Sequence, residues 1–225
     1  MTAVTAYADK QPLAVGPLLT GTFHELVSIR GPLLLYLGVF VGLGLIGRLG
    51  APLGGLITLV GLAGYFLGQY LLYRALLRHA GLMVEDGPIR VFRFFGMALV
   101  LGMAIYLASA FFVIPGLILA AKWVMAPAYL VAGSRGTFES IGDSWRASSG
   151  NTLALVVAFG LLGIAYLFLV GMAGAFGALS GLDQVADNLS VQLALHCLPL
   201  LLMGLSVTAY RTLNDEPERL AEVFG

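Results

Sequence analysis

The chain has few charged residues. Asp, Glu, Lys and Arg make up 11% of its 225 residues, whereas 59% are hydrophobic. A soluble domain needs a larger polar fraction to cover its surface. The formal net charge is zero, and the basic residues form no clustered face of the kind that binds a nucleic-acid backbone. We therefore expect a membrane protein with no nucleic-acid partner.

Cysteine is also scarce. The single cysteine, Cys197, excludes an internal disulfide and a cysteine metal cluster, and its place in an apolar run indicates a small packing residue. The first twenty residues contain no apolar stretch followed by a small-residue cleavage site. From this we expect no cleaved signal peptide.

Long apolar runs recur along the chain, and runs above about 18 residues are typical of membrane helices. They predict an all-α polytopic membrane protein with six transmembrane helices arranged as three hairpins, and a single membrane domain over residues 1–225. The predicted spans are residues 32–49, 52–78, 92–114, 116–132, 152–179 and 189–211. The predicted hairpin units are residues 16–78, 86–132 and 134–213, followed by a charged tail at 214–225.

Each hairpin is predicted to follow an amphipathic helix on the cytoplasmic face. Between Pro17 and Arg30, Leu19, Phe23 and Leu26 recur at helical spacing beside Val27, while Glu25 faces elsewhere. A second surface helix is expected around residues 85–95.

The third amphipathic segment is predicted at residues 137–149. Phe138, Ile141 and Trp145 share one face of it, while Arg146 lies on the opposite face with the spacing to pair with Asp143. Gly-Thr-Phe opens both this segment and the first one, at residues 21–23 and 136–138. The repeated tripeptide favours three parallel units.

Basic residues fix the expected orientation. Ten of the twelve lie on the side of the termini, and cytoplasmic loops are enriched in Lys and Arg. Both termini are therefore predicted to be cytoplasmic. The ten residues are Lys10, Arg30, Arg74, Arg78, Arg90, Arg93, Arg135, Arg146, Arg211 and Arg219.

The central stretch carries a family resemblance. Ile114-Pro115-Gly116 is followed by Lys122, then by Pro127 and by a Ser-Trp-Arg segment that ends at Asn151. This pattern resembles the membrane domain fused to certain bacterial glycerophosphodiester phosphodiesterases and the related YciC-like inner-membrane proteins. Lys122 stands where that family usually has arginine, and no soluble segment is long enough for the catalytic domain. The resemblance implies a six-span protein of the bacterial cytoplasmic membrane.

Few polar residues are expected at membrane depth. Lys122 can extend to water or lipid phosphate, or pair within the bundle, where Asp183 and Asp187 are its nearest candidate partners by topology. His196, with Gln192 four residues earlier, is expected to form a hydrogen bond between helices. The other two histidines are predicted at the surface, so bis-histidine haem is not expected.

No nucleophile–base pair, metal-ligand cluster or phosphate loop can be assembled from the sequence, so we expect no enzyme activity and no cofactor. The favoured function is a non-enzymatic accessory or scaffold protein that binds other membrane proteins or membrane lipid. The alternative is a transporter or lipid-moving protein. Candidate functional or partner-contact residues are Lys122, Trp145, Arg146, Asp183, Asp187 and His196.

Overall fold

The computed structural model describes residues 13–47, 54–83, 90–133, 136–180 and 183–214. Every secondary-structure element in these ranges is an α-helix, as the sequence predicts. The helices are α1 (Val15–Ser28), α2 (Arg30–Gly47), α3 (Gly54–His79), α4 (Val91–Phe111), α5 (Val113–Trp123), α6 (Ala126–Ala132), α7 (Thr137–Ala147), α8 (Thr152–Ser180) and α9 (Asp183–Asn214).

Four helical stretches of the described chain are long and apolar enough to cross a membrane: Val91–Phe111, Val113–Ala132, Thr152–Phe176 and Ser190–Asn214. A fifth is possible if α1 and α2, which meet at a bend of 79°, form one span. The prediction of an all-helical chain with several apolar spans is therefore confirmed at this level. The 26-residue α3, which carries two arginines near its end, is not among these stretches.

Consecutive helices pack as neighbours, α2 with α3, α4 with α5, and α8 with α9. Helix α9 also contacts α1, α2, α3 and α6, and contributes side chains to both clusters of buried apolar residues. Its apolar stretch is 56% buried, against 17% for those of α4 and α8. Helix α9 is thus the central helix of the described bundle, and α4 and α8 lie at its periphery.

Helix α1 packs tightly across the C-terminal half of α9. A Cβ added to Gly21 of α1 would meet Thr208 Cγ2 at 2.5 Å, and one added to Gly204 of α9 would meet the Thr22 carbonyl oxygen at 2.8 Å. Thr22 and Glu25 are buried in this contact. The prediction that Glu25 points away from the packed face of the first amphipathic helix was therefore wrong, because α1 is held by a protein neighbour on the side that carries Glu25.

The two Gly-Thr-Phe tripeptides occupy different structural positions. Gly21 lies within α1, whereas Gly136 precedes α7 and its N–H donates to Glu139 Oε2 at 2.9 Å. The tripeptide therefore does not mark equivalent positions. The proposed surface helix around residue 85 and the tail beyond residue 214 lie largely outside the described residues.

The turn between α4 and α5 differs from the prediction. The predicted spans 92–114 and 116–132 place the turn at Pro115, but α4 ends at Phe111 and the single extended residue Phe112 makes the turn. Pro115 lies in the first turn of α5, where its missing N–H leaves no helical carbonyl unpaired. Gly116 instead brings the two helices together, since an added Cβ would lie 3.0 Å from Ser109 Cα.

We expect Gly116→Ala to lower the free energy of unfolding by about 1–3 kcal/mol, because the new methyl group overpacks against the α4 backbone. The matched control is Gly102→Ala on α4, where an added Cβ meets nothing within 4 Å. That change should be neutral or stabilising by up to about 1 kcal/mol, since alanine favours helix. Denaturant unfolding in one detergent compares them. Equal stability of the two variants would contradict the close approach.

Candidate functional site

A helix break separates α5 from α6. Helix α5 ends at Trp123, and Pro127 lies in the first turn of α6, where it has no N–H to donate to the carbonyl one turn earlier. The neighbouring Lys122 carbonyl accepts hydrogen bonds from the hydroxyls of Ser144, at 2.8 Å, and Ser148, at 3.4 Å. Serines from α7 and its C-terminal cap thus supply polar partners beside the break, where an unpaired carbonyl would be costly.

The Lys122 side chain lies over Trp145 of α7. Its ammonium Nζ is 4.4 Å from the centre of the indole ring, within the range of a cation–π interaction. Trp123 packs on the same indole with a centroid distance of 6.3 Å. The structure therefore brings two sequence-predicted candidates, Lys122 and Trp145, into direct contact.

The predicted carboxylate partners of Lys122 are at the start of α9. The side chains of Asp183 and Asp187 lie outside the described side chains. Along the helix, 27 residues separate Asp183 from Tyr210, about 40 Å at 1.5 Å per residue. Tyr210 contacts Tyr129 of α6, seven residues after Lys122, so the α9 segment nearest to α6 is its C-terminal end. In the structure, the Lys122 ammonium contacts the indole ring of Trp145 and not a carboxylate of the described side chains.

Arg146 forms the predicted ion pair with Asp143, one turn earlier on α7. The arginine side chain is 77% exposed, and exposed pairs of this kind contribute little to stability. This exposure places the Arg146 guanidinium on the surface of the bundle. The ion pair is confirmed, but it belongs to the outer face of α7.

The end of the Ser-Trp-Arg segment ties the N-terminal region to α8. Gly150 adopts a left-handed conformation with φ of 88°, as expected for a helix-terminating glycine. Asn151 immediately precedes α8, and its Oδ1 accepts a hydrogen bond from the backbone N–H of Leu13 at 2.8 Å, across 138 residues. Both residues are buried. The segment therefore closes a long-range contact that local spacing does not reveal.

Glu25 and Arg211 form a second long-range contact, which was not predicted from the sequence. Arg211 Nη1 is 3.1 Å from Glu25 Oε1, and the glutamate side chain is only 5% exposed. Burying a carboxylate without a partner is costly, so this pair fixes α1 against the C-terminal end of α9. The sequence feature that indicates this contact is the helical spacing of Leu18, Thr22 and Glu25, which places the carboxylate on the packed face of α1.

His196 lies in an aromatic cluster between α2, α3 and α9. Its ring centroid is 5.8 Å from those of Tyr36 and Phe40 and 5.6 Å from that of Tyr65. His196 Nδ1 is buried without a hydrogen-bond partner among the described atoms. The predicted hydrogen bond of His196 between helices stays a prediction. Gln192, one turn away, is buried against Gly44 of α2. His196, Gln192 and the Tyr36 hydroxyl thus place polar atoms in the apolar contact of α2 with α9.

Metal ligation has little support in the described part of the chain, where no group of three or more His, Cys, Asp or Glu side chains could hold an ion. His24 and His79 are exposed and distant in sequence from His196.

Comparison of the chain with models of known families, with characterised proteins and with solved structures finds no match. The family resemblance therefore stays a prediction. Of its four parts, Lys122 and the Ser-Trp-Arg segment are in contact, and Pro127 lies in the first turn of α6 after the helix break. Gly116 lies about 9 Å from Lys122 along α5 and contacts α4.

We expect a double-mutant cycle of Lys122→Met and Trp145→Leu to give a coupling of about 1 kcal/mol in the free energy of unfolding, because the ammonium and the indole face each other in a partly desolvated site. Lys122→Arg should retain most of this coupling, since a guanidinium also stacks on an indole. The control cycle pairs Trp145→Leu with Arg146→Met, and it should show almost none. Coupling as small for Lys122 as for Arg146 would contradict the contact.

Proposed function

We propose that this protein is a non-enzymatic accessory or scaffold protein of the bacterial cytoplasmic membrane that binds other membrane proteins, with lipid as a further partner. In this proposal the chain crosses the bilayer six times as three hairpins, and both termini are cytoplasmic. The contacts between α2 and α3, between α4 and α5, and between α8 and α9 support the hairpin arrangement.

The observation that carries the proposal is a glycine stripe on the outer face of α8. A Cβ added to Gly160, Gly163, Gly171 or Gly174 would meet no atom within 4 Å. At about 100° per residue, these four positions lie within about 80° of one another around the helix. Small residues let transmembrane helices approach closely. Because the stripe is not used inside the described bundle, it supports docking of a helix from another protein.

The glycines of α2 and α3 provide an internal comparison. Gly38 and Gly42 of α2 also meet nothing, whereas a Cβ at Gly64 or Gly68 of α3 would contact Phe40 at 3.6 Å and 3.0 Å. The α3 pair thus serves packing within the chain. The glycines of α2 and α8 leave open helix surface that packing within the described chain does not use.

Polar contacts at one end of the helices support the proposed orientation. Arg90 Nη1 donates to the Gly133 carbonyl at 3.1 Å, joining the start of α4 to the end of α6, and Arg211 pairs with Glu25 at the ends of α9 and α1. These arginines belong to the cation-rich side, which is the cytoplasmic side under the positive-inside rule.

The orientation is tested with single cysteines in a Cys197→Ser background, one at Ser149 and one at Gly181. A membrane-impermeant maleimide should label the cysteine at Gly181 in intact spheroplasts, and the cysteine at Ser149 only after the membrane is opened. The reverse labelling pattern would overturn the proposed topology.

Partner binding is tested with a photo-crosslinking amino acid at Leu167, which is 66% exposed and lies in the middle of the stripe. The control position is Met172, 58% exposed and about 140° away around α8. We expect discrete protein adducts from Leu167 and few from Met172. Combining Gly163→Leu with Gly174→Leu should reduce those adducts at least fivefold, whereas Ala165→Leu on another face should not. Equal adducts at both positions would overturn protein docking on the stripe.

The alternative function, a transporter or lipid-moving protein, is favoured by the buried cluster of His196, Tyr36 and Gln192, because polar groups at membrane depth often lie on substrate routes. Reconstituted protein that moves a lipid or solute, and loses this activity in His196→Leu with its fold intact, would establish this alternative.

A further inference from the structure

The aromatic cluster between α2, α3 and α9 contains two polar atoms that have no hydrogen-bond partner among the described atoms. They are Tyr36 Oη of α2 and His196 Nδ1 of α9. The two residues are 5% and 6% exposed, and their ring centroids are 5.8 Å apart. Buried polar atoms in folded proteins nearly always have a partner, because an unpaired one costs free energy. Two such atoms on neighbouring rings therefore indicate a partner that they share.

Two further polar groups lie within about one turn of His196 on α9. Gln192 is buried one turn earlier. Pro199, inside the helix three residues later, has no N–H to donate to the Leu195 carbonyl. That carbonyl therefore lacks its helical hydrogen bond, and in apolar surroundings it needs a partner from a side chain or an ordered water. This part of α9 thus concentrates groups that need hydrogen bonds.

The rings around His196 are not at their closest packing distance. The centroid of the imidazole is 5.8 Å from those of Tyr36 and Phe40 and 5.6 Å from that of Tyr65, whereas the centroids of Tyr36 and Phe40 are 4.7 Å apart. Because an imidazole is smaller than a phenyl ring, close packing would make its distances the shorter ones. The wider spacing fits a ligand of the size of water, which needs little more than its own sphere and a few polar partners.

We propose that this cluster binds an internal water molecule that bridges His196 Nδ1 and Tyr36 Oη, with a further partner from the segment between Gln192 and Pro199. Water both donates and accepts hydrogen bonds, so it satisfies a hydroxyl and either tautomer of a neutral imidazole. Internal waters typically make about three hydrogen bonds. The inference goes beyond the proposed accessory function, since it concerns the interior contact of α2 with α9 and not the outer face of α8.

The direct test follows magnetisation transfer from water to the His196 imidazole by solid-state NMR on the full chain in lipid bilayers. Replacing His24 and His79 by Gln leaves His196 as the one histidine of the sequence, so isotope-labelled histidine reports on it alone. Transfer should be at least fivefold faster than to the methyl group of Met203, which is 1% exposed and lies two turns later on α9. Tyr36→Phe should slow the transfer at least twofold, because the water loses one partner. Transfer to His196 as slow as to Met203 overturns the proposal.

A second test compares unfolding equilibria in one detergent. Tyr36→Phe removes only the hydroxyl, so it should raise the unfolding equilibrium constant about fivefold through loss of the hydrogen bond to water. The matched control is Tyr106→Phe on α4, at a 73% exposed position, which should leave the constant unchanged. A Tyr36→Phe variant as stable as wild type, or more stable, overturns the proposal, because removing an unpaired buried hydroxyl removes its desolvation cost. Crosslinking at Leu167 is an independent readout, so failure here is distinguishable from failure of the proposed function.

Discussion

The arrangement of α4 to α7 depends on hydrogen bonds from neighbouring helices at the α5–α6 break, at the end of α6 and at the start of α4. Apolar surroundings offer no water, so each exposed backbone group needs a partner within the protein. The Lys122 carbonyl beside the α5–α6 break accepts the Ser144 hydroxyl, and Arg90 caps the Gly133 carbonyl at the end of α6. The Arg90 N–H itself donates to Tyr70 Oη at 3.1 Å. These bonds join neighbouring helices at the points where each helix is discontinuous.

Close helix approach is the second constraint. Lipid is as apolar as the helix surface, so burial of hydrocarbon adds little, and association relies on packing and polar contacts. Gly21 and Gly204 let α1 and α9 interlock, and Gly116 does the same for α4 and α5. The ion pair of Glu25 and Arg211 then holds the α1–α9 contact in one register.

Local features were predictable from the sequence, and long-range ones were not. The helical content, the left-handed Gly150 and the Arg146–Asp143 pair follow from residues within a few positions of one another. The bonds of Asn151 to Leu13 and of Glu25 to Arg211 join residues 138 and 186 positions apart, so they follow only from the tertiary packing. Phe112, not Pro115, turns the chain because proline is tolerated in the first turn of a helix. The contact of Lys122 with Trp145 was not predicted, because the expected partners of the ammonium were water, lipid phosphate and the carboxylates of Asp183 and Asp187.

The distribution of polar groups limits how this protein can recognise a partner. Its long-range polar bonds lie mainly inside the bundle or at helix ends, whereas the outer faces of α8 and α2 carry glycines and aliphatic side chains. Recognition on such faces has few hydrogen bonds to use, so shape must supply the specificity. The glycines of α8 leave an open helix surface, which is the surface that the proposed function uses. Gly68 of α3 instead lies against the Tyr36 and Phe40 rings, so glycine there serves contact between α2 and α3.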